Sequence, residues 1–213
     1  MTVFCGHYGS GKSSLAVNYS LYLKSLCDSV TMADVDIVNP YFRSADSRKE
    51  LEENGVGVIT LPYANTNVDL PSLPSSIYGL VERADTHAVL DVGGDDRGAY
   101  ALGRFTDSIL RENDFEMLCV VNFARPLTST PEDALEVMRE INAVCALPFT
   151  GIVNNTNLGS QTTKELVLGS EEKAAELARL SGVPVAFTSA AKGVFPDGER
   201  PDIFRLTLHK YYF

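Results

Sequence analysis

Along this chain, short runs of apolar and β-branched residues alternate with longer stretches in which apolar positions return every three or four residues. The short runs predict strands at Thr2–Cys5, Val30–Ala33, Val56–Leu61, His87–Asp91, Met117–Asn122, Phe149–Asn154 and Val183–Thr188. Most lack apolar–polar alternation, as expected of strands covered by helices on both faces. The longer stretches predict helices, the first with Leu15, Tyr19, Tyr22, Leu23 and Leu26 on one face. The segment "STPED" announces another, with Thr130 as N-cap, Pro131 at the first helical position and acids in the first turn. Ala134, Val137, Met138, Ile141 and Val144 form its buried stripe. A further helix starts at Ser170 and is ended by Gly182 and Pro184. This alternation gives an α/β fold: one domain over residues 1–213, a three-layer αβα sandwich around a mostly parallel sheet of about seven strands. The stretch "LPYANTNVDLPSLPSS" (61–76) fits neither pattern; it is too long and proline-rich for a simple connector and reads as a functional loop.

Composition narrows the classes of function. Hydrophobic residues make up 45% and charged residues 22% of the chain, ordinary for a globular domain. A net charge of −10 argues against a protein that binds nucleic acid by neutralising phosphates. No apolar run approaches the roughly 20 residues that span a bilayer. The strand-like "TVFC" leads straight into a loop motif, which leaves no room for a signal peptide. Cys5, Cys27, Cys119 and Cys145 form no Cys-x-x-Cys pair and sit in or beside apolar sequence, so they read as buried free thiols. A cytoplasmic location is expected.

The chemistry lies in the loops. Gly6-His7-Tyr8-Gly9-Ser10-Gly11-Lys12-Ser13-Ser14 carries the phosphate-loop spacing Gly-x-x-x-x-Gly-Lys-Ser, between a strand and a helix. Its glycines let backbone N–H groups turn inward around a β-phosphate, and the helix N-terminus adds a favourable dipole. Lys12 neutralises β- and γ-phosphates in such a loop, and the Ser13 hydroxyl ligates Mg²⁺. Two further segments fall at strand ends, where open α/β sheets place ligands. In "ADVDIVNPYFRS", Asp34 and Asp36 are two residues apart in extended chain, share one side, and suit Mg²⁺ and an attacking water. In "HAVLDVGGDDRG", an apolar strand ends at Asp91, the pattern of a strand whose Asp holds Mg²⁺ through water, and Gly93-Gly94 follow as a hinge. The sixth strand ends in Asn154-Asn155-Thr156-Asn157, without the Asp that reads the guanine amino group in Asn-Lys-x-Asp. An Asn amide pairs with the donor–acceptor edge of adenine, so ATP is expected over GTP. His7, His87 and His209 are scattered without zinc-ligand spacing, and no Gly-x-Ser-x-Gly elbow is present.

These motifs together resemble the MinD/ParA/CobQ superfamily, the deviant-Walker-A branch of SIMIBI-class P-loop NTPases. They are similar above all to bacterial CobQ/CobB/MinD/ParA-domain proteins with a "GHYGSGK" loop. The resemblance covers nearly the whole chain through the phosphate loop, "DVDIVNPYFRS", "LDVGGDD", "VVNFARPLTSTPEDA" and "GIVNNTNLG". It implies that Lys12 and Ser13 serve phosphate and Mg²⁺, and that Asp36 positions the hydrolytic water. It also implies that Asp91 is the Walker B Asp, that Gly93-Gly94 lie in switch II, and that Asn155 contacts adenine. His7 departs from the pattern, because these relatives carry there a lysine that crosses an ATP-sandwiched dimer. His7 either donates a hydrogen bond in its place or only shapes the loop, and Arg43 or Arg97 is a candidate source of the missing charge. The tail "PDIFRLTLHKYYF", set beside the basic membrane helix of MinD-type proteins, is short and reads as a terminal helix or strand packed on the domain.

Two functions follow from the resemblance. One is a Mg-ATP-dependent switch with slow ATPase activity, read by an unidentified protein partner, with a nucleotide-dependent homodimer as a further expectation. The other is an ATP-dependent kinase or ligase that activates a small carboxylate, of the dethiobiotin-synthetase type. Residues 61–76 serve as a partner surface in the first and a substrate lid in the second.

Overall fold

Apolar strands need cover on both faces, and the computed structural model supplies it. It describes residues 1–35, 45–60, 77, 79–80, 83, 85–94, 96–112 and 114–208. The strands are β1 (Thr2–Cys5), β2 (Val30–Asp34), β3 (Gly57–Thr60), β4 (His87–Asp91), β5 (Glu116–Val121), β6 (Gly151–Asn154), β7 (Val185–Ala191) and β8 (Phe204–Leu206). They form one sheet in the order β3-β2-β4-β1-β5-β6-β7-β8, and every pairing is parallel. The helices are α1 (Lys12–Lys24), α2 (Ala45–Glu53), α3 (Asp96–Gly103), α4 (Thr106–Glu112), α5 (Pro131–Cys145) and α6 (Lys164–Ser181).

Leu15, Ala16 and Leu51 from α1 and α2 pack with Phe4, Met32, Val89, Val120 and Val153 on one face. On the other face Leu102, Ile109, Ile141 and Leu177, from α3 to α6, cover Val3, Leu90, Met117 and Ile152. This is the three-layer α/β fold expected, with eight strands in place of about seven. The additional strand, β8, lies in the tail and pairs with Ser189–Ala191. Asn18 on α1 secures its end, donating to the Thr207 carbonyl at 3.1 Å and accepting from the Thr207 N–H at 2.7 Å. Arg205 donates to the carbonyls of Phe195 and Pro196, so it ties down the β7–β8 connection. Among the described residues, no helix is long and apolar enough to cross a membrane.

Thr130 caps α5 as expected, in a reciprocal capping box with Asp133, and Gly182 ends α6 in a left-handed conformation. Three expectations change. Tyr22, although within α1, is 48% exposed, and Leu26 is 65% exposed because α1 ends at Lys24 and Leu26 lies beyond its last turn. Val144 is exposed while Cys145 turns inward under α3. The last helix begins at Lys164, capped by the Thr163 hydroxyl, and Ser170 lies within it, bonded to Asn154 at 2.8 Å.

The cysteines are free, and Cys5, Cys119 and Cys145 are buried. Burial pushes the Cys5 thiol up to about 12 and raises those of Cys119 and Cys145. Alkylation of the native protein at mildly alkaline pH is therefore expected to modify Cys27, with the other three reacting only after denaturation. Mass spectrometry locates the label, and prompt native labelling of Cys119 would contradict the burial. His87, at the start of β4, lies 3.1 Å from the Thr2 hydroxyl through Nε2, and desolvation lowers its pKa; it is a structural residue of the sheet.

Candidate functional site

The phosphate loop joins β1 to α1 at the carboxyl end of the sheet. Within it the Ser10 N–H closes a turn on the His7 carbonyl at 3.1 Å. Gly11, left-handed at φ 86°, then starts α1 at Lys12. A side chain at Gly11 would run into the Asn155 amide, so glycine there answers both a conformational and a steric demand. The first turn of α1 contains no acidic residue, so its N-terminal amides keep their positive potential for a ligand. Lys12 is 6% exposed. His7 is half-buried, with Nδ1 2.9 Å from the Tyr8 carbonyl, and Tyr8 is exposed at the tip.

Two neighbouring loops hold this one from outside. Asn155, just beyond β6, donates from Nδ2 to the Ser10 carbonyl at 2.7 Å and accepts from the Ser189 hydroxyl at 2.7 Å. Since C=O and N–H point oppositely across a trans peptide, fixing the Ser10 carbonyl aims the Gly11 N–H the other way. Asn155 is expected from the sequence to meet adenine. Here its carboxamide is 2% exposed and engaged at both ends within the protein. One amide hydrogen and one carbonyl lone pair remain on this carboxamide beyond these two bonds. From the loop after β5, Arg125 Nε donates to the Gly9 carbonyl at 3.2 Å.

On the opposite side of the loop stand the carboxylates. Asp34 ends β2 and Asp91 ends β4, and the two are register partners on neighbouring parallel strands. Both are buried, and Phe4, two residues before Gly6, pairs with Asp91 across β1. Beyond Asp91, Gly94 is packed on the phosphate loop so closely that a Cβ there would sit 2.9 Å from the Tyr8 nitrogen. Asp36, Arg43, the 61–76 stretch and the tail residues His209 and Lys210 lie outside the described residues; Arg97 falls in α3.

This arrangement fits a polyphosphate. The hydroxyls of Ser10 and Ser14 are buried and make no hydrogen bond among the described residues. Buried donors of this kind call for a partner. Glycines line the loop, and an ammonium is buried beside it. Among the described residues no group of three or more His, Cys, Asp or Glu side chains could hold a metal ion. The oxygen set of Ser13, Asp34 and Asp91 suits a hard ion that keeps waters and shares a phosphate. Arg125 and Ser189 are absent from the sequence-based site. Both are far from the loop in sequence, and neither carries a spacing motif.

No protein-family profile matches this chain, and no curated protein is similar to it in sequence. Solved structures do match. The cell division protein FtsY from Thermotoga maritima aligns with a TM-score of 0.61 at 15% identity, covering 91% of this chain and 63% of that one. Chloroplast FtsY from Physcomitrella patens gives 0.60 at 14% identity over 91% and 59%. FlhF complexed with GTP/Mg²⁺ gives 0.55 at 15% identity over 88% and 64%. The chain thus spans less than two thirds of each of these structures. The resemblance to MinD, ParA and CobQ proteins rests on sequence motifs, whereas the three-layer parallel α/β architecture is a fold that this chain shares with FtsY and FlhF.

Proposed function

We propose that this chain is a Mg-ATP-binding switch: a slow ATPase whose segments around Asp36 and Gly94 respond to the γ-phosphate, the response being read by a protein partner. The observation that carries this reading is a pre-shaped phosphate loop, with Lys12 buried and the Ser10 carbonyl fixed by Asn155. Loop amides and Lys12 hold the β- and γ-phosphates, and Ser13, Asp34 and Asp91 form the oxygen side for Mg²⁺. Bound Mg²⁺ supplies charge neutralisation and Lewis-acid polarisation of the phosphate oxygens. Asp36, two residues past Asp34, orients the attacking water.

FlhF was solved with GTP/Mg²⁺ and an FtsY with GDP, so nucleotides occur in proteins of this fold. ATP is preferred here because Asn154-Asn155-Thr156-Asn157 offers no carboxylate to the guanine amino group. The partner is a protein, with a nucleotide-dependent homodimer as one form of it, in the cytoplasm.

Calorimetry with ATP and GTP, together with single-turnover hydrolysis, tests the proposal. Wild type is expected to bind ATP more tightly than GTP. Asp36→Ala is expected to keep ATP affinity while hydrolysis slows about tenfold, since a slow hydrolase has little rate to lose. Unchanged hydrolysis in Asp36→Ala removes that residue from the mechanism, and a wild type that binds no nucleotide ends the proposal.

A further inference from the structure

Gly9 and Ser10 present successive carbonyls on the outside of the phosphate loop, and each is held by a side chain from a different neighbouring loop. Asn155 takes the second. Arg125 takes the first, across 116 residues of sequence.

Arg125 sits on a built scaffold. Its N–H bonds the Asn122 carbonyl at 3.1 Å, and its own carbonyl accepts from the Thr128 N–H at 3.1 Å. Asn122 is buried, and its side chain accepts from the N–H groups of Ala124 and Asn157 at 3.0 and 3.2 Å and donates to the Asn157 carbonyl at 3.0 Å. The Thr128 hydroxyl closes on the Asn122 carbonyl at 2.7 Å. Pro126 follows, which keeps Arg125 extended at φ −102° and ψ 139°. The guanidinium lies against Gly9: a Cβ there would touch Arg125 Nε at van der Waals distance, 3.4 Å.

We propose that Arg125 is a positioning residue of the phosphate loop: it holds the Gly9 carbonyl outward and brings a positive charge to the outside of the loop. The inference rests on the proposed nucleotide site and adds a residue to it. With Nε on Gly9, the terminal nitrogens of the fork make no hydrogen bond among the described residues and can draw a polyanion toward the loop. Lysine in its place keeps the charge but has no planar fork to bind a carbonyl and face outward together.

The test compares wild type, Arg125→Ala and Arg125→Lys by calorimetry with ATP, GTP and inorganic tripolyphosphate, at low and moderate salt. Arg125→Ala is expected to weaken all three by a similar factor, about three- to tenfold, as for loss of a charge-assisted contact near the surface. Arg125→Lys is expected to recover part of the loss, mainly at low salt, where screening is weakest. The melting temperature of the ligand-free protein is expected to stay unchanged, because the side chain is exposed. A loss confined to ATP and GTP, with tripolyphosphate unaffected, would mean that Arg125 faces the base and would overturn the proposal. Equal affinities for wild type and Arg125→Ala would overturn it as well and leave the nucleotide site standing. A wild type that binds none of the three ligands overturns both readings.

Discussion

Lys12→Ala is expected to give a folded protein that has lost nucleotide binding. Lys12 opens α1 and is buried next to the glycine loop, on a sheet whose carboxyl end gathers Asp34, Asp91 and the loop amides. Removing a buried charge-assisted phosphate contact costs about 2–5 kcal/mol, a loss of about thirtyfold or more in affinity. The fold does not depend on this side chain, since the core beneath α1 is made by Leu15, Ala16, Val17 and Leu23 against Phe4, Met32 and Val89. Keeping an ammonium out of water is itself unfavourable, so the ligand-free variant is expected to melt at or above the wild-type temperature. The measurements are an ATP titration by calorimetry and a thermal melt of each protein without ligand. Equal ATP affinity in the two proteins sinks the phosphate-loop assignment.

The parallel sheet was legible because its signal is local. β1 and β4 match their expected bounds, since each is built on a short apolar run, Val3–Cys5 and Ala88–Leu90. β8 was legible only as a terminal helix or strand packed on the domain: it is three residues long, and what settles it as a strand is backbone pairing to β7 and the hold of Asn18 on Thr207. Ser170 illustrates a different limit. A serine before an acidic, helix-forming run looks like a cap, yet its hydroxyl is used inside α6 to satisfy the buried Asn154 at the end of β6. No local rule reveals a partner on another element. The candidate site divides in the same way. The phosphate loop and the Asp91 strand are written in spacing, and the register that sets Asp34 beside Asp91 follows from strand order. The outer clamp of Asn155 and Arg125 is written in neither. Asparagine after β6 was legible as a candidate for a base, whereas the bonds of its side chain to Ser10 and Ser189 were not.

The same substitution, glycine to alanine, is expected to act with opposite signs at two positions. At Gly169, on the exposed side of α6, an added methyl meets nothing within 4 Å. Alanine there removes the entropic penalty of a helical glycine and is expected to stabilise the protein by about 0.5–1 kcal/mol. At Gly94 the methyl would stand 2.8 Å from the His7 carbonyl carbon and 2.9 Å from the Tyr8 nitrogen, and closer still to the Gly6 carbonyl oxygen. These are backbone atoms of the phosphate loop, so no side chain can swing aside to relieve the overlap. Either the segment after Asp91 backs away from the loop or the loop opens, and overpacking of this kind costs about 3 kcal/mol. Both routes disturb the proposed ligand site, since one detaches the glycine proposed to sense a γ-phosphate and the other displaces the loop whose carbonyls Asn155 and Arg125 hold. Gly94→Ala is therefore expected to lower stability by about 3 kcal/mol and weaken ATP binding by about a hundredfold. Urea unfolding and calorimetry on wild type, Gly94→Ala and Gly169→Ala give both quantities. If Gly94→Ala is as stable as Gly169→Ala and binds ATP like wild type, then in solution the segment after Asp91 does not rest on the phosphate loop, and its part in the switch is lost.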